Sequence, residues 1–119
     1  MMRAVVQRVE RAAVTVGGKN ISSIQQGLVA FVGVEKGDTT KDADCLVDKI
    51  INLRIFEDSE GKMNLSLLAK NGEFMVIYFV VKSRDKVDKV GTGEFQAMMK
   101  IDLRNDGPVT LLLDSRTAF

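Results

Sequence analysis

Arg3-Ala4-Val5-Val6-Gln7-Arg8-Val9 is apolar and rich in β-branched residues, Ala13-Val14-Thr15-Val16 resumes that character, and Gly17-Gly18 separates it from Lys19 to Ile24. This reads as strand, strand, turn, strand, because branched side chains suit a pleated surface and glycine pairs mark tight turns. Gln25-Gln26-Gly27 then introduces Leu28 to Val34, the most hydrophobic run of the N-terminal half and a candidate central strand, stopped by Gly37-Asp38-Thr39. The N-terminal third therefore predicts a β-sheet.

Thr39 with Asp42 three positions on has the form of a capping box, and Ala43, Leu46, Val47, Ile50 and Ile51 recur at helical spacing. An amphipathic helix is predicted from about Thr40 to Leu53. Beyond it, Arg54-Ile55-Phe56 reads as a strand closed by the turn Asp58-Ser59-Glu60-Gly61, and Lys62 to Leu67 follows with partial alternation. The carboxylates Glu57, Asp58 and Glu60 match no metal-loop spacing, and a solvated turn accounts for them.

Composition narrows the chemistry. The chain has 119 residues, no histidine, one cysteine and a formal net charge of +1. Without an imidazole there can be no Ser-His-Asp or Cys-His catalytic unit, and zinc sites built on histidine spacing are excluded too. Cys45 cannot form a disulfide within the chain, and on the helix it falls among Lys41, Asp48, Lys49 and Asn52, opposite the apolar stripe. With no signal-like segment and no membrane-length apolar run, the simplest expectation is a soluble protein of a reducing cytosol. The near-neutral charge provides no broad basic field, so a nucleic-acid partner would be held locally. No repeat or polar linker divides the chain, which predicts one domain over residues 1–119.

The only proline lies in Asn105-Asp106-Gly107-Pro108-Val109-Thr110, between the alternating run Met99 to Arg104 and the apolar Leu111-Leu112-Leu113. This places Gly107-Pro108 at the tip of an expected hairpin. Proline fixes φ and removes an N–H, an X–Pro bond can be cis at modest cost, and glycine admits another group close to the backbone. Chemistry done there would use main-chain carbonyls and amides.

One junction reads badly. Phe74 to Val81 is an unbroken apolar run passing directly into Lys82-Ser83-Arg84-Asp85-Lys86. Its first half looks like a buried strand, whereas Phe79, Val80, Ser83, Val87 and Val90 fit a helix face. A strand entering a helix with no turn residue between them predicts a discontinuity near Ile77.

Four blocks together resemble the D-aminoacyl-tRNA deacylase family: Met2 to Val9, Gly33 to Thr39, Asn52 to Asp58 with Gly61 to Ser66, and Asn105 to Thr110. Gly93-Glu94-Phe95 and Met99 also match, so the resemblance covers nearly the whole chain in order. By this resemblance the strand Gly72 to Val76 should continue into Ser-Gln-Phe-Thr-Leu and a basic loop before the helix near Tyr78. The sequence skips roughly thirty residues there, a loop-plus-element length.

The resemblance implies a homodimer, with no metal or other cofactor, that hydrolyses the ester joining a D-amino acid to the terminal ribose of tRNA, and neither a membrane nor DNA as partner. It implies a cis Gly107–Pro108 peptide entering the partner subunit's pocket, where main-chain carbonyls hold the substrate's α-amino group and exclude L-side chains. It further implies that Arg8 braces this loop, that Phe95 and Met99 line the pocket for the terminal adenosine, and that Asn105 and Thr110 hold the turn. Read without the family, Phe95 and Met99 are ordinary core residues, Arg8 a surface or partly paired cation, and Lys82, Arg84, Lys86 and Lys89 a solvated helix face or phosphate contacts. The expected fold is α/β, mostly β, with a curved or barrel-like sheet and two packed helices. The rival reading is a non-catalytic dimeric remnant that lacks the donors of the Ser-Gln-Phe-Thr stretch.

Overall fold

The computed structural model describes residues 1–80 and 99–115, with the backbone alone for Phe79, Val80 and Pro108. Its spine is β1 (Arg3–Val16), followed by β2 (Lys19–Ile24), β3 (Gly27–Val34), α1 (Thr40–Ile51), β4 (Phe56–Glu57), β5 (Met63–Leu65), α2 (Leu67–Lys70), β6 (Glu73–Val80) and β7 (Met99–Asp114). β1 pairs antiparallel with β2, β3 and β7, and β6 joins the far side of β3 in parallel. β4 and β5 form a separate hairpin.

The two faces of this sheet bury different residues, as strand alternation requires. Ala4, Val6, Leu28, Ala30, Val32 and Leu113 form one cluster with Leu46 and Ile50 of α1 and with Phe56. Val9, Ala12, Val14, Val29, Met75 and Ile77 form another with Ile24, and Met99, Ile101 and Leu103 pack against it. The long strands curl around this second cluster into a half-barrel. At twelve residues α1 is too short to be stable alone, and its docking rests on Leu46 and Ile50, each worth about 1.5–3 kcal/mol when fully buried. The reciprocal cap is present: the Asp42 carboxylate accepts the Thr39 N–H at 3.0 Å.

Several expectations are corrected. The N-terminal strand is not interrupted between Val9 and Ala13; a register shift absorbs Glu10 and the pairing continues to Val16. The strand expected over Lys62 to Leu67 covers only Met63–Leu65, because Ser66 caps α2 by accepting the Ala69 N–H at 3.1 Å. β6 runs through this junction as one strand, with Ile77 opposite Phe31 and Tyr78 opposite Val32. An eight-residue apolar run can lie against β3 throughout, so Tyr78 to Val80 extend the strand and do not begin a helix. The rest of that expected helix, with Lys82, Arg84, Lys86, Lys89 and Phe95, lies outside the described residues.

Gly27 permits the parallel pairing. A Cβ there would sit 1.8 Å from the Glu73 carbonyl oxygen, so only glycine lets β3 and β6 meet at this point.

Candidate functional site

The Asn105–Thr110 motif is a wide bulge within β7 and not a hairpin tip. Gln7 lies opposite Thr110 and Val9 opposite Asn105, so residues 106–109 bow out across from Arg8 alone. A flat strand cannot take up this excess, and Gly107 turns the chain with a left-handed φ of +74°. Among the described residues no peptide bond is cis, where the resemblance implies a cis Gly107–Pro108 bond.

Arg8 sets the bulge's position. Its Nε donates to the Asp106 carbonyl at 2.8 Å and its Nη1 to the Ile55 carbonyl at 2.6 Å. The Asp106 carboxylate lies 3.6 Å from Nε, so charge supports the same contact. Burial of the neighbouring Phe56 fixes where the Ile55 carbonyl sits, tying the bulge through Arg8 to the β4–β5 hairpin. Arg8 is only 7% exposed, so of the two readings made without the family, surface or partly paired cation, it is the paired one that the structure shows. A buried guanidinium satisfied by two carbonyls and a carboxylate is a rigid support.

Beside this support lies a polar cavity of about 220 Å³ lined by Arg8, Gln26, Phe56, Glu57, Lys70 and Asp106. Gly107 itself is exposed, and a Cβ there would meet Arg8 Nη2 at 2.9 Å. Asn105 and Thr110 bracket the bulge at its last paired positions, both exposed. Met99 is not brought to it. It begins β7, eight residues or up to about 27 Å of strand from Gly107, and packs against the half-barrel cluster. No local pattern marks Gln26 and Lys70, and Glu57, assigned from sequence to a solvated turn, lines this cavity instead. They meet Arg8 only through the fold.

Elsewhere, the Asp58 carboxyl is held below its ordinary range by backbone N–H groups, that of Lys62 foremost, then that of Glu60. Among the described residues no group of three His, Cys, Asp or Glu side chains is placed to hold a metal ion. The Cys45 thiol is exposed, with Sγ 3.2 Å from the Ser115 carbonyl.

The sequence profile described as D-Tyr-tRNA(Tyr) deacylase matches residues 5–80 and again 77–114. The chain belongs to this family. The D-aminoacyl-tRNA deacylase of Thermosipho melanesiensis is 47% identical over 150 aligned residues, covering 99% of this chain and all of the relative. That of Syntrophus aciditrophicus is 43% identical over 149, with the same coverage. Among solved structures, the c-Myc DNA Unwinding Element Binding Protein superposes with a TM-score of 0.77 at 33% identity, covering 97% of this chain and 99% of that one. The mostly-β half-barrel is thus the family's fold. The two profile matches share residues 77–80, and an alignment of 149 positions covering 99% of a 119-residue chain leaves at least 30 positions without a counterpart.

Proposed function

We propose that this chain hydrolyses the ester bond of D-aminoacyl-tRNA, releasing the D-amino acid and free tRNA, and that it acts in the cytoplasm as a homodimer. Family membership supports the reaction class, and the observation that carries the site is the Gly107 bulge braced by buried Arg8. A fixed main-chain loop suits selection by handedness. Carbonyl oxygens held in place can accept from the substrate's α-ammonium in one orientation, and the wrong side chain then collides with backbone that cannot yield.

Gly107 and Pro108 present the loop, and Arg8, Asn105 and Thr110 hold it. A second copy would bring Met99 to the pocket for the terminal adenosine, because Met99 begins β7, up to about 27 Å of strand from Gly107, and by the family resemblance Phe95 would line the same pocket. The Ser-Gln-Phe-Thr stretch does not occur in the sequence. The chemical step would therefore draw on main-chain N–H groups and on the substrate's own 2′-hydroxyl to assist water. The internal shortening at residues 77–80 is part of the same reading, with β6 closing over it as one strand.

The test is incubation with tRNA carrying D- or L-tyrosine. Release of D-tyrosine with the L-ester left intact is the expected result. Tight binding of the aminoacyl end without turnover would instead identify a remnant that kept the fold and lost the donors.

A further inference from the structure

We infer that the groove across β1, β2 and β7 beside the Gly107 bulge is a phosphate-binding track for the tRNA strand, with Arg11 and Arg104 as its paired contacts. This rests on the proposed function for the identity of the nucleic acid. Arg11 and Arg104 are directly opposite one another in the antiparallel β1–β7 ladder. Facing side chains in such a pair have Cβ atoms about 5 Å apart, and like charges placed so are destabilising. Arg104 is relieved by Glu10, whose Oε2 lies 2.9 Å from its Nε. Arg11 has no carboxylate within ion-pair distance among the described residues.

Around them lies a groove of about 440 Å³, lined also by Ala13, Ser23, Gln25 and Asp102. Ala13 stands opposite Ser23 on one side and Asp102 on the other, so a short side chain forms the floor between polar walls. Lys100 opposes Thr15 further along the same ladder. Of the charged residues lining the groove, Arg11 and Arg104 stand against Asp102, which leaves one positive charge. Two guanidinium forks facing a single gap suit a tetrahedral anion, and the Ser23 hydroxyl and Gln25 amide add neutral donors.

Position supports the same occupant. Arg104 precedes Gly107 by three residues, at most about 10 Å of strand. Val9, Ala12 and Val14 share the half-barrel cluster, so the extra residue at Glu10 keeps Arg11 on the face of β1 that carries Arg8. A strand whose terminal ester lies at the bulge would run its next phosphates over this groove.

The experiment is binding of uncharged tRNA across a salt series by the full chain, with Arg11→Ala, Arg104→Ala and Arg11→Lys. Both residues are exposed, and neither substitution touches the bulge. Each alanine variant is expected to bind roughly tenfold more weakly at 0.1 M salt and to flatten the plot of log K against log salt by about one unit, whereas Arg11→Lys keeps the slope. Hydrolysis should show a raised KM with kcat unchanged. Wild-type binding with slopes unmoved by either alanine would overturn the inference while leaving the proposed function standing. A wild-type chain that binds no tRNA at any salt would remove both, and the fault would lie with the deacylase reading.

Discussion

Two turns of this protein, Asp58 to Gly61 and Asp106 to Val109, each begin with aspartate and carry a glycine, and they are held in opposite ways. In the first, the Asp58 carboxylate accepts the Glu60 and Lys62 N–H groups at 2.8 and 3.1 Å and the Asn64 side-chain amide at 3.4 Å, and the Gly61 N–H donates to the Asp58 carbonyl at 3.0 Å, so these ties span six residues or fewer. In the second, the ties come from Arg8, 98 positions away in sequence, which also binds Ile55. Both contain a glycine at positive φ, +78° for Gly61 and +74° for Gly107. A turn stabilised by its own residues closes a hairpin. One held from a distance can keep main-chain groups free for a ligand.

Breaking the distant support should have the largest effect. Arg8→Ala leaves the Asp106 and Ile55 carbonyls without their donor, and is expected to cost about 2–4 kcal/mol in denaturant unfolding and to abolish release of the D-amino acid. Arg8→Lys should recover little of either, because one ammonium cannot span both carbonyls as the fork does.

Gly107→Ala comes next. It meets both the left-handed φ and the 2.9 Å approach to Arg8, and is expected to cost about 1–2 kcal/mol and most of the activity. The same change at Gly61 has the φ penalty but open space around its Cβ, so it should cost about 1 kcal/mol and leave turnover intact.

Asp58→Ala should also lower stability without touching hydrolysis. Its pH signature sharpens the contrast. Because the folded carboxyl titrates below its ordinary value, its contribution is complete above the usual carboxylate range and is lost as pH falls through the depressed folded value. Hydrogen exchange at the Glu60 and Lys62 amides should therefore accelerate in acid in the wild type and be pH-insensitive, beyond intrinsic exchange, in Asp58→Asn.

The same contrast explains what could be read without coordinates. The Asp58 turn, the capped helix α1 and strands β2 and β3 were legible because their causes are local: turn residues, a Thr39–Asp42 cap, alternation and branching. The half-barrel followed from those elements together with the family resemblance. The form of the 105–110 segment did not follow, since glycine and proline announce a turn but not the register that makes it a bulge opposite Arg8. Gln26 and Lys70 were hidden for the same reason, and Glu57 was visible only as part of a solvated turn. The junction at Ile77 was legible, and the two profile matches overlap there at residues 77–80; only the strand conformation of Tyr78 to Val80 was not, because it depends on β3, a neighbour that periodicity does not see.

The most direct measurement sets D-tyrosyl- and L-tyrosyl-tRNA side by side against the wild type, Arg8→Ala and Asp58→Ala. The D-ester should be cleaved by the wild type and Asp58→Ala, not by Arg8→Ala, and the L-ester should survive all three. Equal cleavage of both esters, or full activity in Arg8→Ala, would contradict a handedness filter built from backbone that Arg8 holds in place.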